Sequence, residues 1–240
     1  MRVHRVRSVT SSSFLTDFRN HTHILNGRHT IPRMQGSTIL FSEMTPDASW
    51  EDEFNEWYDQ EHIPLRMAVS GFRSAQRYRI QGKRNYLVVY EMDSPGVLKS
   101  PAYLSVKNNP SDRTRRMLGS VSGFTRYIAE QTGNYTRGLH PADSLDAPCL
   151  YSVFFEVPSQ RQSEFDECYE KDHIPQLLEC KDWMLIRRFQ VVDGEPGSWT
   201  HLALHYLMDE RALESPERHR ALQSPCRTQD SAHHKHGLRQ

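Results

Sequence analysis

His62 is the side chain in this sequence best suited to moving a proton. Histidine is the one residue type whose unperturbed titration falls close to neutral pH. Its context is EFNEWYDQEHIP, residues 53–64. On a helix, Tyr58 lies one turn earlier on the same face, and Asp59 supplies a carboxylate beside it. His62, Tyr58 and Asp59 therefore form a candidate general acid/base with orienting partners. A histidine in the last turn of a helix also has a plainer use, bonding the exposed carbonyls at the helix end. Both readings stand at this point.

Around this group are side chains suited to a flat, apolar ligand. Tyr86, Val88 and Tyr90 alternate onto one face of a strand, and His201, Ala203 and His205 alternate in the same way further on. Tyrosine and histidine on a concave wall suit an aromatic molecule; equally, such a face can simply send its polar tips to water. Arg77 and Arg188 can each hold a carboxylate or phenolate, or more simply pair with a neighbouring carboxylate. The candidate substrate-binding set is Trp57, Arg77, Tyr78, Tyr86 and Tyr90, with Tyr169, His173, Arg188 and His205 from the later part of the chain. No metal site and no cofactor are expected, with a haem iron on His62 or His173 as the alternative left open. His233, His234 and His236 cluster in a polar tail, where solvated histidines are the simpler reading. CxxCH, GxGxxG, Walker and GxSxG patterns are all absent.

The elements that must position these residues come in two copies. Residues 164–175 read EFDECYEKDHIP and match residues 53–64 at seven of twelve positions. The offset of 111 holds through Arg77/Arg188; it then becomes 115, where Leu98/Leu213, Ser100/Ser215, Pro101/Pro216 and Pro110/Pro225 match. Each copy begins with a β-branched and aromatic strand, 37–44 or 149–157. A helix follows, with its aromatic face repeating every three to four residues. Pro64 and Pro175 are expected to stop these helices. Two hairpin strands and a short second helix come next. The first copy ends in a fourth strand, SGFTRYIAE, residues 122–130. At the same offset the second copy runs past Gln240, so its last strand is expected to be missing, its edge covered by coil with weak homodimerisation.

The expected fold class is α+β: two ferredoxin-like βαββαβ halves forming a single-chain dimeric α/β barrel. The expected boundaries are an unstructured leader at 1–36, halves at 37–130 and 149–225, a linker at 131–148 and a disordered tail at 226–240. The leader's first 33 residues hold six Arg, no Lys and one acid. That is also the composition of a transit peptide, and Met34 is an alternative start.

The chain has 240 residues, with Lys+Arg and Asp+Glu both at 30. This balance gives neither a basic footprint for nucleic acid nor a polybasic membrane segment. Cys149, Cys168, Cys180 and Cys226 make no CxxC pair, a poor disulfide framework that fits a reducing, cytoplasmic setting.

The segment FNEWYDQEHIPLRMAVSGF, followed by an Arg-aromatic strand, a Tyr-rich strand and VLKSPAY, resembles the EthD-like branch of the dimeric α/β-barrel superfamily. The second copy departs from that pattern at Asp182/Trp183, where the first has Gly71/Phe72, which puts a functional second pocket in doubt. The resemblance implies a small-molecule enzyme of cyclase, monooxygenase, dehydratase or decarboxylase type. Such an enzyme would act without a cofactor on a hydrophobic aromatic or polyketide-like substrate. A non-catalytic small-molecule-binding or stress-response protein on the same scaffold is the alternative. A buried pocket at His62 favours the enzyme; an interior filled by Trp57, Phe72 and Tyr78 favours the binder.

Overall fold

The computed structural model describes residues 3–5, 36–80, 82–137, 144–145 and 147–224. Seven long strands carry the fold: β2 (Thr38–Thr45), β3 (Phe72–Ile80), β4 (Tyr86–Met92), β5 (Ser122–Thr136), β6 (Cys149–Phe155), β7 (Trp183–Glu195) and β8 (His201–Leu207). A short strand, β1 (Val3–Arg5), joins them. All pairings are antiparallel, and the sheet closes as a barrel in the order β1–β3–β4–β2–β5–β7–β8–β6. The chain is thus α+β with a curled antiparallel sheet.

Strand alternation divides the core into three layers. Ile39, Phe41, Leu87, Val89, Phe189 and Leu204 point into the barrel and pack together there. Leu40, Met44, Val88 and Tyr90 point outward, under the helices of the first part of the chain. Trp183, Ile186, Ala203 and Leu207 point outward under the helices of the second.

Over the first outer face lie α1 (Glu51–Trp57), a π turn (Tyr58–His62) and α2 (Ile63–Met67), then α3 (Pro101–Asn108) and α4 (Asp112–Ser120). Over the second lie α5 (Gln162–Cys168), a π turn (Tyr169–His173), α6 (Ile174–Leu178) and α7 (Pro216–Leu222). Pro64 and Pro175 do not stop these helices. In the widened turn the Ile63 N–H reaches back five residues to the Tyr58 carbonyl. The prolines follow in the first turn of the next segment, where a missing N–H costs little.

Other boundaries also shift. β5 continues beyond residue 130 to Thr136 and pairs with β7 there, so Gln131–Thr136 is strand rather than linker. Within it, Tyr135 packs on the second outer layer, and burial with nearby Glu170 pushes its phenol to about 12. From the linker itself, Leu145 and Ala147 are buried in the barrel interior. Cys168 is disulfide-bonded, against the expectation of reduced thiols, whereas Cys149 and Cys180 are buried thiols outside any disulfide.

The leader is not wholly unstructured. Val3–Arg5 lies between β3 and β6, with His4 opposite both Ile80 and Leu150. The edge expected to be open is thereby paired. The physical reason is that open edges on β3 and β6 would leave backbone donors and acceptors unpaired, and any three extended residues can satisfy them. Apart from Gly36, the remainder of the leader and the tail from 225 lie outside the described residues.

Candidate functional site

The second outer layer is not filled to its edge. A cleft opens between the sheet and the helices above it, about 300 Å³ counted out to its mouth. Its interior has room for little more than one water. Tyr151, Val153 and Phe155 face it from β6, at the period of two that puts alternate side chains on one face. Trp183 and His205 face it from β7 and β8. Tyr169, His173 and Leu177 come down from the helix, four residues apart. Arg218 and Leu222 of α7 close the remaining side.

Three of these residues form a hydrogen-bonded row. Trp183 Nε1 donates to His205 Nδ1 at 3.1 Å, and His205 Nε2 lies 3.3 Å from Tyr169 Oη. The three side chains are buried, His205 and Trp183 to within 1 %. The Tyr151 ring lies beside His205, centroids 5.4 Å apart. His173 is anchored differently. Its Nδ1 lies 3.0 Å from the Ala221 carbonyl; a carbonyl only accepts, so Nδ1 carries the proton. His173 thus ties the π turn to α7.

Arg188 stands behind this row. It donates to Glu170 at 2.7 Å and to Asp166 at 2.5 Å, and its guanidinium lies 4.9 Å from the centre of the Tyr169 ring. It fastens the helix to β7 and backs Tyr169, but does not line the cleft. Arg77 does the same in the first layer, donating to Asp59 at 2.6 Å and Asn55 at 2.7 Å, with Tyr58 4.5 Å away. The simpler reading of both arginines, a neighbouring carboxylate partner, is the observed one. His201, on the same face as His205, packs on Phe165 and sits 3.9 Å from Asp166. Burial holds its imidazole below the ordinary value, opposed by Asp166.

The first layer packs several of its predicted residues tightly together among the described residues. The His62 ring packs against Trp57 at 4.4 Å and Tyr58 at 4.7 Å between centroids. Burial, aided by Arg66 and Arg77, holds the His62 imidazole well below its ordinary value. It is a neutral core histidine, not one bonding a helix-end carbonyl. Trp57 Nε1 donates to Thr114 at 3.0 Å. Tyr86 donates to Glu51 at 2.6 Å and accepts from Asn55 at 3.0 Å. The Tyr58 and Tyr90 hydroxyls are close enough to affect each other's ionisation, and burial pushes both phenols up. Tyr90 Oη nevertheless makes no hydrogen bond of ordinary geometry among the described residues. Asp59 is taken up by Arg77. Tyr78, adjacent to Arg77 on the strand, necessarily faces the other way and is buried in the barrel interior, its hydroxyl on Gln76.

Of the candidates from the later part of the chain, Tyr169, His173 and His205 line the cleft and Arg188 supports it. Trp183, Tyr151, Val153, Phe155, Leu177, Arg218 and Leu222 were not predicted. The alternation of β6 carried the signal for three of them. Among the described residues no three His, Cys, Asp or Glu side chains converge as a metal site, and no helix is long and apolar enough to cross a membrane.

No protein-family model and no curated protein matches the chain. Solved structures do. An anthrone oxidase-like protein superposes with a TM-score of 0.59 at 13% identity, over 82% of this chain and 88% of that one. A chlorite dismutase-like protein superposes with a TM-score of 0.52 at 13% identity, over 80% of this chain and 89% of the other. At such identity the likeness is one of fold. The chain shares the antiparallel-sheet architecture of dimeric α/β-barrel proteins.

Proposed function

We propose that the chain is a small-molecule enzyme whose reaction site is the cleft of the second layer. The observation that carries this reading is the hydrogen bond between Tyr169 and His205 inside that cleft. It joins two groups able to exchange protons and presents them to a space walled by aromatic rings. The walls suit a flat, largely apolar molecule, an aromatic or polyketide-like one, and the fold shared with an anthrone oxidase-like protein is in keeping with that. Tyr169 is the group that meets the substrate, His205 acts through it, and no cofactor is invoked. Proton movement of this kind serves a cyclisation, dehydration or decarboxylation, and equally the deprotonation that opens a cofactor-free oxygenation.

The same reading extends to the architecture. The ladders repeat in register at the sequence offsets: Leu40 and Ala75 flank Tyr90 as Tyr151 and Ile186 flank His205. Two ferredoxin-like halves from one duplicated unit, as in the EthD-like branch, account for this, with β1 lying beside β6 where a fourth strand of the second half would pair.

The cleft is narrow, so a ligand enters only if Leu222 or α7 gives way. A fixed, filled interior is what the non-catalytic reading requires. The test uses the full chain and a variant with the cleft plugged, Val153→Trp. Both are incubated with a metabolite extract, and the extract and the protein are analysed by mass spectrometry. A compound consumed by the wild type, spared by Val153→Trp and spared by Tyr169→Phe supports the enzyme. A compound bound but unchanged supports the binder, and consumption unaffected by either change sinks this reading.

A further inference from the structure

The direction of the hydrogen bonds in the cleft is fixed by one residue outside the reacting pair. We infer that Trp183 is a positioning residue that sets the tautomer of His205, and that the cleft in consequence selects ligand groups that accept a hydrogen bond. This rests on the reading of the cleft as a ligand site.

An indole N–H only donates. With Trp183 Nε1 at 3.1 Å, His205 Nδ1 must offer a lone pair. Neutral His205 then carries its proton on Nε2, which faces Tyr169 Oη at 3.3 Å. Nε2–H donates to the hydroxyl oxygen, so a ligand atom seated against Tyr169 Oη meets the hydroxyl hydrogen. Each bond in the row Trp183→His205→Tyr169 points the same way. A carbonyl or enolate oxygen completes it, whereas a ligand N–H there sets donor against donor.

The row cannot form in the first layer. At the repeat offsets Trp183 corresponds to Phe72 and His205 to Tyr90. Phe72 has no N–H to give, and Tyr90 has no second ring nitrogen through which to pass a bias on. The exchange of Phe for Trp, which from sequence reads as decay of the second copy, is the exchange that makes the row.

The test has two arms on the full chain. In the first, ¹⁵N-labelled histidine and long-range ¹H–¹⁵N correlation spectra report the tautomer of His205, assigned with His205→Gln. The expected result is the Nε2–H form in the wild type and loss of that bias in Trp183→Phe. An Nδ1–H form in the wild type, or an unchanged tautomer in Trp183→Phe, overturns the role of Trp183. If Trp183→Phe does not fold, the wild-type spectrum alone decides. In the second arm, ligand-observed titration compares acetophenone with α-methylstyrene, which has the same planar shape with CH₂ in place of oxygen. Any cost of opening the cleft is common to both. Acetophenone is expected to bind roughly tenfold more tightly, about the worth of one hydrogen bond. Equal binding overturns acceptor selection. If neither probe binds, the ligand site and its selectivity fall together, and the tautomer result still judges Trp183 separately.

Discussion

Tyr90 holds in the first layer the place that His205 holds in the second: it stands opposite Leu40 as His205 stands opposite Tyr151. One position thus carries an orphaned hydroxyl on one side of the barrel and a doubly bonded imidazole on the other. The difference follows from neighbours. His205 has the Trp183 N–H on one nitrogen and the Tyr169 hydroxyl on the other, while Tyr90 faces the edge of Phe72 at 5.7 Å between centroids.

A buried hydroxyl without a partner is a cost that its removal relieves. Tyr90→Phe is therefore expected to leave stability unchanged or to raise it by up to about 1 kcal/mol. Urea denaturation of the two proteins measures this. A loss above about 2 kcal/mol would mean that Tyr90 Oη is bonded after all, with Tyr58 the nearest candidate.

His62 makes stability depend on pH in a definite direction. Its folded-state imidazole titrates well below the ordinary value of 6.5, through burial first and the charges of Arg66 and Arg77 second. Below pH 6.5 the unfolded chain therefore binds a proton that the folded chain refuses, and stability rises with pH across that window. Acidification from pH 7 to pH 5 should weaken the fold, by at most ~1.4 kcal/mol per pH unit from this one group. His62→Gln should flatten that part of the curve. Turnover should be affected far less than in Tyr169→Phe, because His62 does not line the cleft that holds Tyr169 and His205. A His62 variant that keeps wild-type stability at every pH and loses turnover would return the chemistry to the first layer.

β1 makes its own prediction. It pairs with β3 and β6 and completes the barrel. A chain shortened to begin at Met34 should melt lower and should self-associate as concentration rises, since two strand edges are then unpaired. Size-exclusion chromatography across a hundredfold range of concentration reads the second effect. A shortened chain that stays monomeric with unchanged melting would show that β1 contributes nothing to closure.

Much of this was legible in the sequence, and the omissions have physical causes. The repeat put Tyr58 and Tyr169, His62 and His173, and Arg77 and Arg188 in matching places; the two arginines have matching carboxylate partners, whereas the tyrosines and histidines have different neighbours. Alternation on β4 and β8 put Tyr90 and His205 on the helix side. What the pattern could not show was where a cleft opens. His62 reads as a candidate acid/base from its residue type and its place at a helix end beside Tyr58, yet it is buried against Trp57 and Tyr58. Whether space remains depends on the volumes of several side chains from separate elements, and no spacing rule sums those. The π turns were hidden because a widened turn leaves the three-to-four periodicity nearly intact on either side. β1 was invisible for a different reason. Three residues are too few to alternate, and their strand character is imposed by the edges they pair with.

The last prediction concerns a charge that sequence patterning also passed over. Arg187 is adjacent to Arg188 and so faces the other way, into the barrel, where it is fully buried. It is paired with Glu91 of β4, also nearly buried, and it donates to Gln131 at 2.8 Å and to the Gly36 carbonyl at 3.3 Å. Glu91 in turn accepts from the Gly36 N–H at 3.2 Å. The cluster joins the start of β2 to β4, β5 and β7, and so stitches the early strands to the late ones through the barrel interior. Taking two such charges out of water is costly, and each is tolerated only because the other is present. Glu91→Ala should therefore cost about 3–5 kcal/mol by leaving the guanidinium uncompensated. The double change Glu91→Leu with Arg187→Met should cost much less than the sum of the single changes, because it removes both charges and fills the space. Denaturation of the four proteins in a double-mutant cycle measures the coupling. Additive losses would show that the pair is no unit and that water reaches the barrel interior.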